Sequence, residues 1–178
     1  SLSEIDFINH AFSTKLGGVS TGEFTSMNFA FNRGDNPDSV TENYKRFCKS
    51  AGFDYNTLTA SAQDHNTYVR AVTTENIGTG IYKPRDIECV DALITKQKGV
   101  NLVTYYADCT PLFFVDTNKK AIVLAHAGWR GTVGRIGEKV VQKMTELYGT
   151  NPSNLKCAIG PAISVCCYEV DKPCADHF

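Results

Sequence analysis

Three side chains in this sequence have types suited to chemistry: Cys109 and two histidines, His65 and His126. A cysteine with two imidazoles is a soft three-ligand set, which leaves a fourth position on a zinc-like ion open to water or substrate. The same residues have a plainer reading, with Cys109 as a buried apolar residue and the histidines as caps. The spacings are 44 residues from His65 to Cys109 and 17 from Cys109 to His126, and they match no local ligand pattern. Sequence order leaves both readings open. The other two histidines, His10 and His177, lie near the ends with no motif around them.

The elements that must position these groups are partly legible. Ala121-Ile122-Val123-Leu124-Ala125 reads as a buried strand that stops at His126 and turns through Gly128, Arg130 and Gly131. Val133, Ile136, Val140, Val141, Met144 and Leu147 recur at helical spacing, which predicts one long helix capped by Thr132 and stopped by Gly149 and Pro152. Its positive end would face the histidine turn, where anions and metals find partners. Leu112–Asp116 reads as the preceding strand, and Thr117–Lys120 has the composition of a hairpin turn. Counting back from Asn118-Lys119 sets Pro111 opposite His126, so Cys109 ends at the same sheet edge. A thiol and an imidazole become neighbours through register.

Elsewhere, Phe12–Ser20 and Met27–Phe31 read as strands, the first entering the Gly17-Gly18 turn. A scaffold helix begins at Pro37 with Asn36 as its cap, presents Val40, Tyr44, Phe47 and Ala51 on one face, and ends at Gly52. Tyr68–Val72, Cys89–Thr95 and Asn101–Tyr106 are predicted strands, Leu155–Ile159 a buried one, and Cys166–Val170 a last strand-like segment. Residues 75–87 lack a clear period and are a candidate lid.

The chain has 178 residues, 42% of them apolar, enough for one domain burying roughly two thirds of its unfolded surface. Its net charge of −1, with no basic stripe, argues against nucleic acid as a partner. Apolar runs of about five residues are too short to span a bilayer, and the opening lacks a signal-peptide pattern, so a cytoplasmic location is expected. Seven cysteines without a Cys-x-x-Cys pair make a poor disulfide framework; most are expected to be small buried residues.

The residues also resemble a known family. Gln63-Asp64-His65, Asp91-Ala92-Leu93-Ile94-Thr95, Ala107-Asp108-Cys109-Thr110-Pro111, His126–Thr132, Ile159–Ile163 and Cys167-Tyr168-Glu169-Val170 are similar to successive signatures of the YfiH-like laccase-domain family. Gly17-Gly18-Val19-Ser20 and Ser26-Met27-Asn28 match as well. The resemblance implies an α+β fold with mixed sheets in a four-layer α/β/β/α sandwich, related to that of cytotoxic necrotizing factor. It implies one YfiH-like domain over residues 1–178, lacking part of the family's C-terminal region. The implied activity is purine nucleoside phosphorolysis of adenosine, inosine, guanosine and methylthioadenosine with phosphate, with adenosine deamination beside it.

By position, the family's zinc ligands fall on His65, Cys109 and His126, with copper as a substitute metal. Phosphate is expected near Arg130 and the backbone donors around Gly128 and Gly131, and Gly18 and Asn28 are further candidates for substrate binding. Asp108 is the candidate acid/base beside the thiolate, with a buried structural hydrogen bond as its alternative role. Tyr105 or Tyr106 could stack on the base, but strand alternation keeps both from facing the site. The sequence departs from the family pattern at Asp64, Asn66 and Tyr106, and at Lys15, where arginine is usual and any bidentate phosphate contact would depend on it.

Three competitors stand beside this reading. Copper-dependent polyphenol oxidation would need more imidazoles than four histidines supply. A metal-free Cys109–His126 hydrolase would use the thiolate as nucleophile. A non-catalytic binding module would hold nucleosides without turning them over.

Overall fold

A computed structural model describes residues 1–178, and its contacts divide the chain into an N-terminal unit built from Ser3–Thr57 and a C-terminal unit built from Leu58–Phe178. In the first, helix α1 spans Pro37–Ala51 with the predicted signals: Asn36 accepts from the Asp38 N–H, Pro37 opens the first turn, and Gly52 at φ 74° closes it. Val40, Tyr44 and Cys48 are buried, and Phe29 and Phe31 pack on Tyr44 at centroid distances of 4.8 and 5.7 Å.

The strands expected over residues 12–20 and 27–31 do not form. In their place the buried Asn43 side chain satisfies the backbone, accepting from the Val19 N–H and donating to the Asn28 carbonyl and Ser20 Oγ. Ser20 in turn donates to Asp35. A side-chain amide replaces the ladder that a neighbouring strand would have supplied.

The C-terminal unit holds two sheets of mixed character, as the α+β expectation required. Strand β1 (Leu58–Ala60) pairs in parallel with β4 (Asn101–Val103). The larger sheet joins β2 (Val69–Ala71), β3 (Ala92–Thr95), β5 (Thr110–Asp116), β6 (Ala121–Ala127) and β7 (Leu155–Ile159) in the order β2-β3-β6-β5-β7. Its β2–β3 pair is parallel and the rest antiparallel. Pro111 lies opposite His126, as the hairpin count predicted. Ala92, Ile94, Val123 and Ala125 face Ile136, Val140 and Met144, while Leu93 belongs to a second cluster with Val72, Ile87, Val90 and Val100. Both faces of β3 are buried, which is why Ala92, Leu93 and Ile94 follow one another without a polar residue between them.

The predicted helix from Thr132 is broken: α2 spans Trp129–Val133, Arg135 takes φ 60°, and α3 spans Ile136–Tyr148. Thr132 donates its hydroxyl to the carbonyl of Gly128, the residue before α2, and caps nothing. A Cβ at Gly134 would lie 2.6 Å from Thr67 Cγ2, so the break sits where the backbone packs too closely for a side chain.

Residues 75–87 are no free lid. Gly78 donates to Leu58, Ala60 to Thr79 and Ala62 to Ile87, and Ile81 and Ile87 are buried. Strand β7 is an edge with Ile159 exposed, because only β5 pairs with it. Residues 166–170 form no strand, the chain turning at residues 165–167, and helix α4 spans Lys172–Ala175. Of the cysteines, only Cys48 and Cys174 are buried; Cys89, Cys157, Cys166 and Cys167 are exposed. No helix is long and apolar enough to cross a membrane.

Candidate metal centre

Strand parity sends Ala125 and Ala127 toward α3 and His126 toward the opposite face, where the Tyr106 ring lies 5.6 Å from the imidazole. Tyr106 donates its hydroxyl to the Ala125 carbonyl and shares a bond with Thr104, so it braces β6. Burial first, and the nearby Cys109, hold its phenol above the usual range. Tyr105 is tied by its backbone to the Gln63 amide and carries Arg85 over its ring. Neither tyrosine is a loose stacking platform.

Cys109 stands one residue before the Thr110–Ala127 pair, which places it across from Gly128. His65 comes from the loop before β2, exposed and at φ 58°. The ligand atoms of His65, Cys109 and His126 all lie within 4.8 Å of one another, and the two imidazole centroids are 4.8 Å apart. A Cβ at Gly128 would sit 2.9 Å from His65 Cδ2 and 3.2 Å from Cys109 Sγ, so a glycine keeps this space open.

Asp91 opens β3's apolar run and is completely buried. One oxygen lies 2.7 Å from His126 Nδ1 and accepts from the His65 N–H; the other accepts from the N–H groups of Asp64 and Asn66. Burial pushes this carboxyl up, but the bonds from His126, Asn66 and Asp64 outweigh it and hold it below its ordinary value. With Nδ1 engaged, Nε2 of His126 is the nitrogen left for a metal. Burial, then the carboxylates of Asp108 and Asp91, push the Cys109 thiol up. A cation would reverse that preference. A thiol, two imidazoles, a carboxylate behind one ring and a space free of Cβ fit a soft metal ion.

Beside the centre lies a cleft of about 270 Å³ lined by Cys109, Gly128, Trp129, Ile163 and Tyr168 among others, with Asp108 on its wall. Asp108 is exposed, which removes the buried structural role considered for it. The sequence of residues 9–178 matches the family described as multi-copper polyphenol oxidoreductase laccase.

The chain belongs to this laccase family.

Among its relatives, the purine nucleoside phosphorylase YlmD of Bacillus subtilis is 37% identical over 166 residues, which cover 93% of this chain and 60% of the relative. The adenosine deaminase RL5, from an unknown prokaryotic organism, is 30% identical, covering 99% of this chain and 70% of the relative. The crystal structure of a Bacillus licheniformis protein, YfiH, superposes with a TM-score of 0.87 at 30% identity, over 92% of this chain and 61% of that one. The chain thus spans about 60% of the length of the first of these laccase-family relatives.

Of the residues singled out in the sequence, His65, Cys109, His126 and Gly128 come together. Arg130 is exposed, with its guanidinium 4.2 Å from the centre of the Trp129 ring, and His177 packs on the same indole at 5.6 Å. Gly131 is buried, where a Cβ would meet the Asn66 carbonyl at 3.2 Å. Gly18 and Asn28 are used inside the N-terminal unit. A Cβ on Gly18 would overlap the Ser26 carbonyl, and Asn28 donates to Asp35 while accepting from the Ala30 N–H. Two departures from the family pattern also find work: Asn66 donates to the Cys89 carbonyl and accepts from the Tyr68 N–H, and Tyr106 holds β6. Sequence reasoning missed the role of Asp91. Its signal was an acid heading a buried apolar strand, which must find partners.

Proposed function

We propose that this chain carries a zinc-dependent purine nucleoside phosphorylase centre, in which phosphate attacks ribose C1′ and the purine departs. The observation that carries the reading is the convergence of His65, Cys109 and His126 within 4.8 Å beside a cleft. The phosphorylase name of the Bacillus subtilis relative supplies the substrate class. These three residues would hold the ion, and zinc, when bound, supplies Lewis-acid polarisation.

Arg130, exposed and stacked on Trp129, offers a fixed planar donor for phosphate. The backbone N–H groups around Gly128 and Gly131 complete the anion's partners. Asp108, on the cleft wall beside Cys109, serves as the acid/base that relays a proton from water to the departing base. Gly128 admits the substrate to the centre because it carries no Cβ. A multicopper cluster needs more imidazoles than the two, His65 and His126, that meet at this centre. The deaminase name of one relative favours a second activity at the same centre, displacement of the adenosine amino group by water.

Chromatography of adenosine, inosine and methylthioadenosine incubations, with and without phosphate, tests this. The parent is expected to yield free base only with phosphate, together with ribose 1-phosphate from adenosine and inosine and 5-methylthioribose 1-phosphate from methylthioadenosine, and Cys109→Ala to yield none of these. Inosine from adenosine without phosphate would assign the deamination. Turnover of none of these by a zinc-loaded parent would overturn the proposal.

A further inference from the structure

Resting on the metal reading of His65, Cys109 and His126, we infer that Asp91 is the positioning residue of the centre: one carboxylate that fixes the ring of His126 and the backbone of His65 together. The two histidines come from separate elements, 61 positions apart in sequence, and share no hydrogen bond of their own. Asp91 supplies the link. Oδ1 is 2.7 Å from Nδ1 of His126 and 3.0 Å from the His65 nitrogen, and Oδ2 is 3.0 Å from the nitrogens of Asp64 and of Asn66. Its backbone holds the same two elements, donating to the Tyr68 carbonyl and accepting from the His126 N–H at 2.7 Å.

Two consequences follow from the acceptor-only nature of an ionised carboxylate. On the strand side it demands a proton on Nδ1, so the metal-free imidazole keeps its lone pair at Nε2. On the loop side, three successive N–H groups converge on it, which holds His65 in a left-handed conformation that costs a non-glycine residue about 1 kcal/mol. An asparagine would offer one acceptor oxygen to four donors and turn its own amide protons toward some of them. Asp91 is fully buried behind the imidazole, so it acts through the ligands and touches no reacting atom.

The test uses the full chain, with zinc affinity measured by competition against a chromophoric chelator. Long-range ¹⁵N–¹H correlation of the metal-free protein reads the His126 tautomer. Asp91→Asn is compared with Ser61→Ala, which removes a neighbouring buried hydrogen bond to the Val90 carbonyl. Asp91→Asn is expected to weaken zinc binding by about 10–100-fold and to move His126 away from the Nδ1–H form, whereas Ser61→Ala changes neither. Zinc affinity within about threefold of the parent in Asp91→Asn, with the tautomer unchanged, would overturn the assignment. So would an Nε2–H tautomer in the metal-free parent, a result that stands even if the variant does not fold. A parent that binds zinc no better than Cys109→Ala would instead overturn the metal reading itself.

Discussion

The β5–β6 hairpin and the loop at residues 61–68 deliver ligands to the same point by different means. The hairpin brings Cys109 and His126 through seven paired positions and a buried, alternating strand, so the two side chains are set by register. The loop brings His65 on exposed, left-handed backbone whose N–H groups converge on a side chain from another strand. One arm is held by a ladder that many residues share; the other depends on single contacts. Substitutions should therefore damage both arms' chemistry but only one arm's stability.

The largest separation is expected between the two histidines. His126→Ala leaves the buried Asp91 without its ring partner and should destabilise the fold by roughly 3 kcal/mol as well as abolish metal retention. His65→Ala should lose the metal equally while changing stability by no more than about 1 kcal/mol, since the side chain is exposed. Urea unfolding of the metal-free variants measures this, and equal losses would break the contrast.

Gly128→Ala comes next. The backbone at φ −73° tolerates alanine, but the new methyl meets both His65 and Cys109, so metal affinity should fall about tenfold or more with the unfolding midpoint little changed. Chelator competition and a denaturant titration on one sample decide it. Asn66→Gly should cost about 1 kcal/mol by removing the bonds to the Cys89 carbonyl and the Tyr68 N–H. Hydrogen exchange should then quicken over residues 64–68 and stay unchanged in β5 and β6.

A further effect is in pH dependence. Because the Cys109 thiol is pushed up, metal capture must displace its proton, so affinity rises with pH, by about tenfold per unit for each proton released, until the thiol ionises by itself. Asp108→Asn removes one of the carboxylates that raise it, and the plateau should be reached at a lower pH. Calorimetric titration in buffers of different ionisation enthalpy counts the proton directly, and an affinity independent of pH would contradict the thiol's role as ligand.

The same contrast explains what could be read from the sequence. Hairpin register needs only a turn composition and a count, so Pro111 opposite His126 was legible, as were the α1 cap at Asn36 and its stop at Gly52. The loop arm was not, because nothing local to His65 states that Asp91, 26 positions on, will gather its backbone. The N-terminal segments looked like strands by residue type, yet a buried amide on α1 took over their hydrogen bonds. Helical spacing likewise ran through residue 134 without a flaw, since periodicity registers side chains and not the left-handed backbone at Arg135 that breaks the helix there.

The central claim is that one sulfur and two imidazole nitrogens meet on one ion. Zinc-edge X-ray absorption of protein purified without added metal tests it most directly. One sulfur at about 2.3 Å and two nitrogens at about 2.0–2.1 Å are expected, with the sulfur contribution gone in Cys109→Ala. A zinc shell containing only nitrogen and oxygen, or one that Cys109→Ala leaves unaltered, would contradict it.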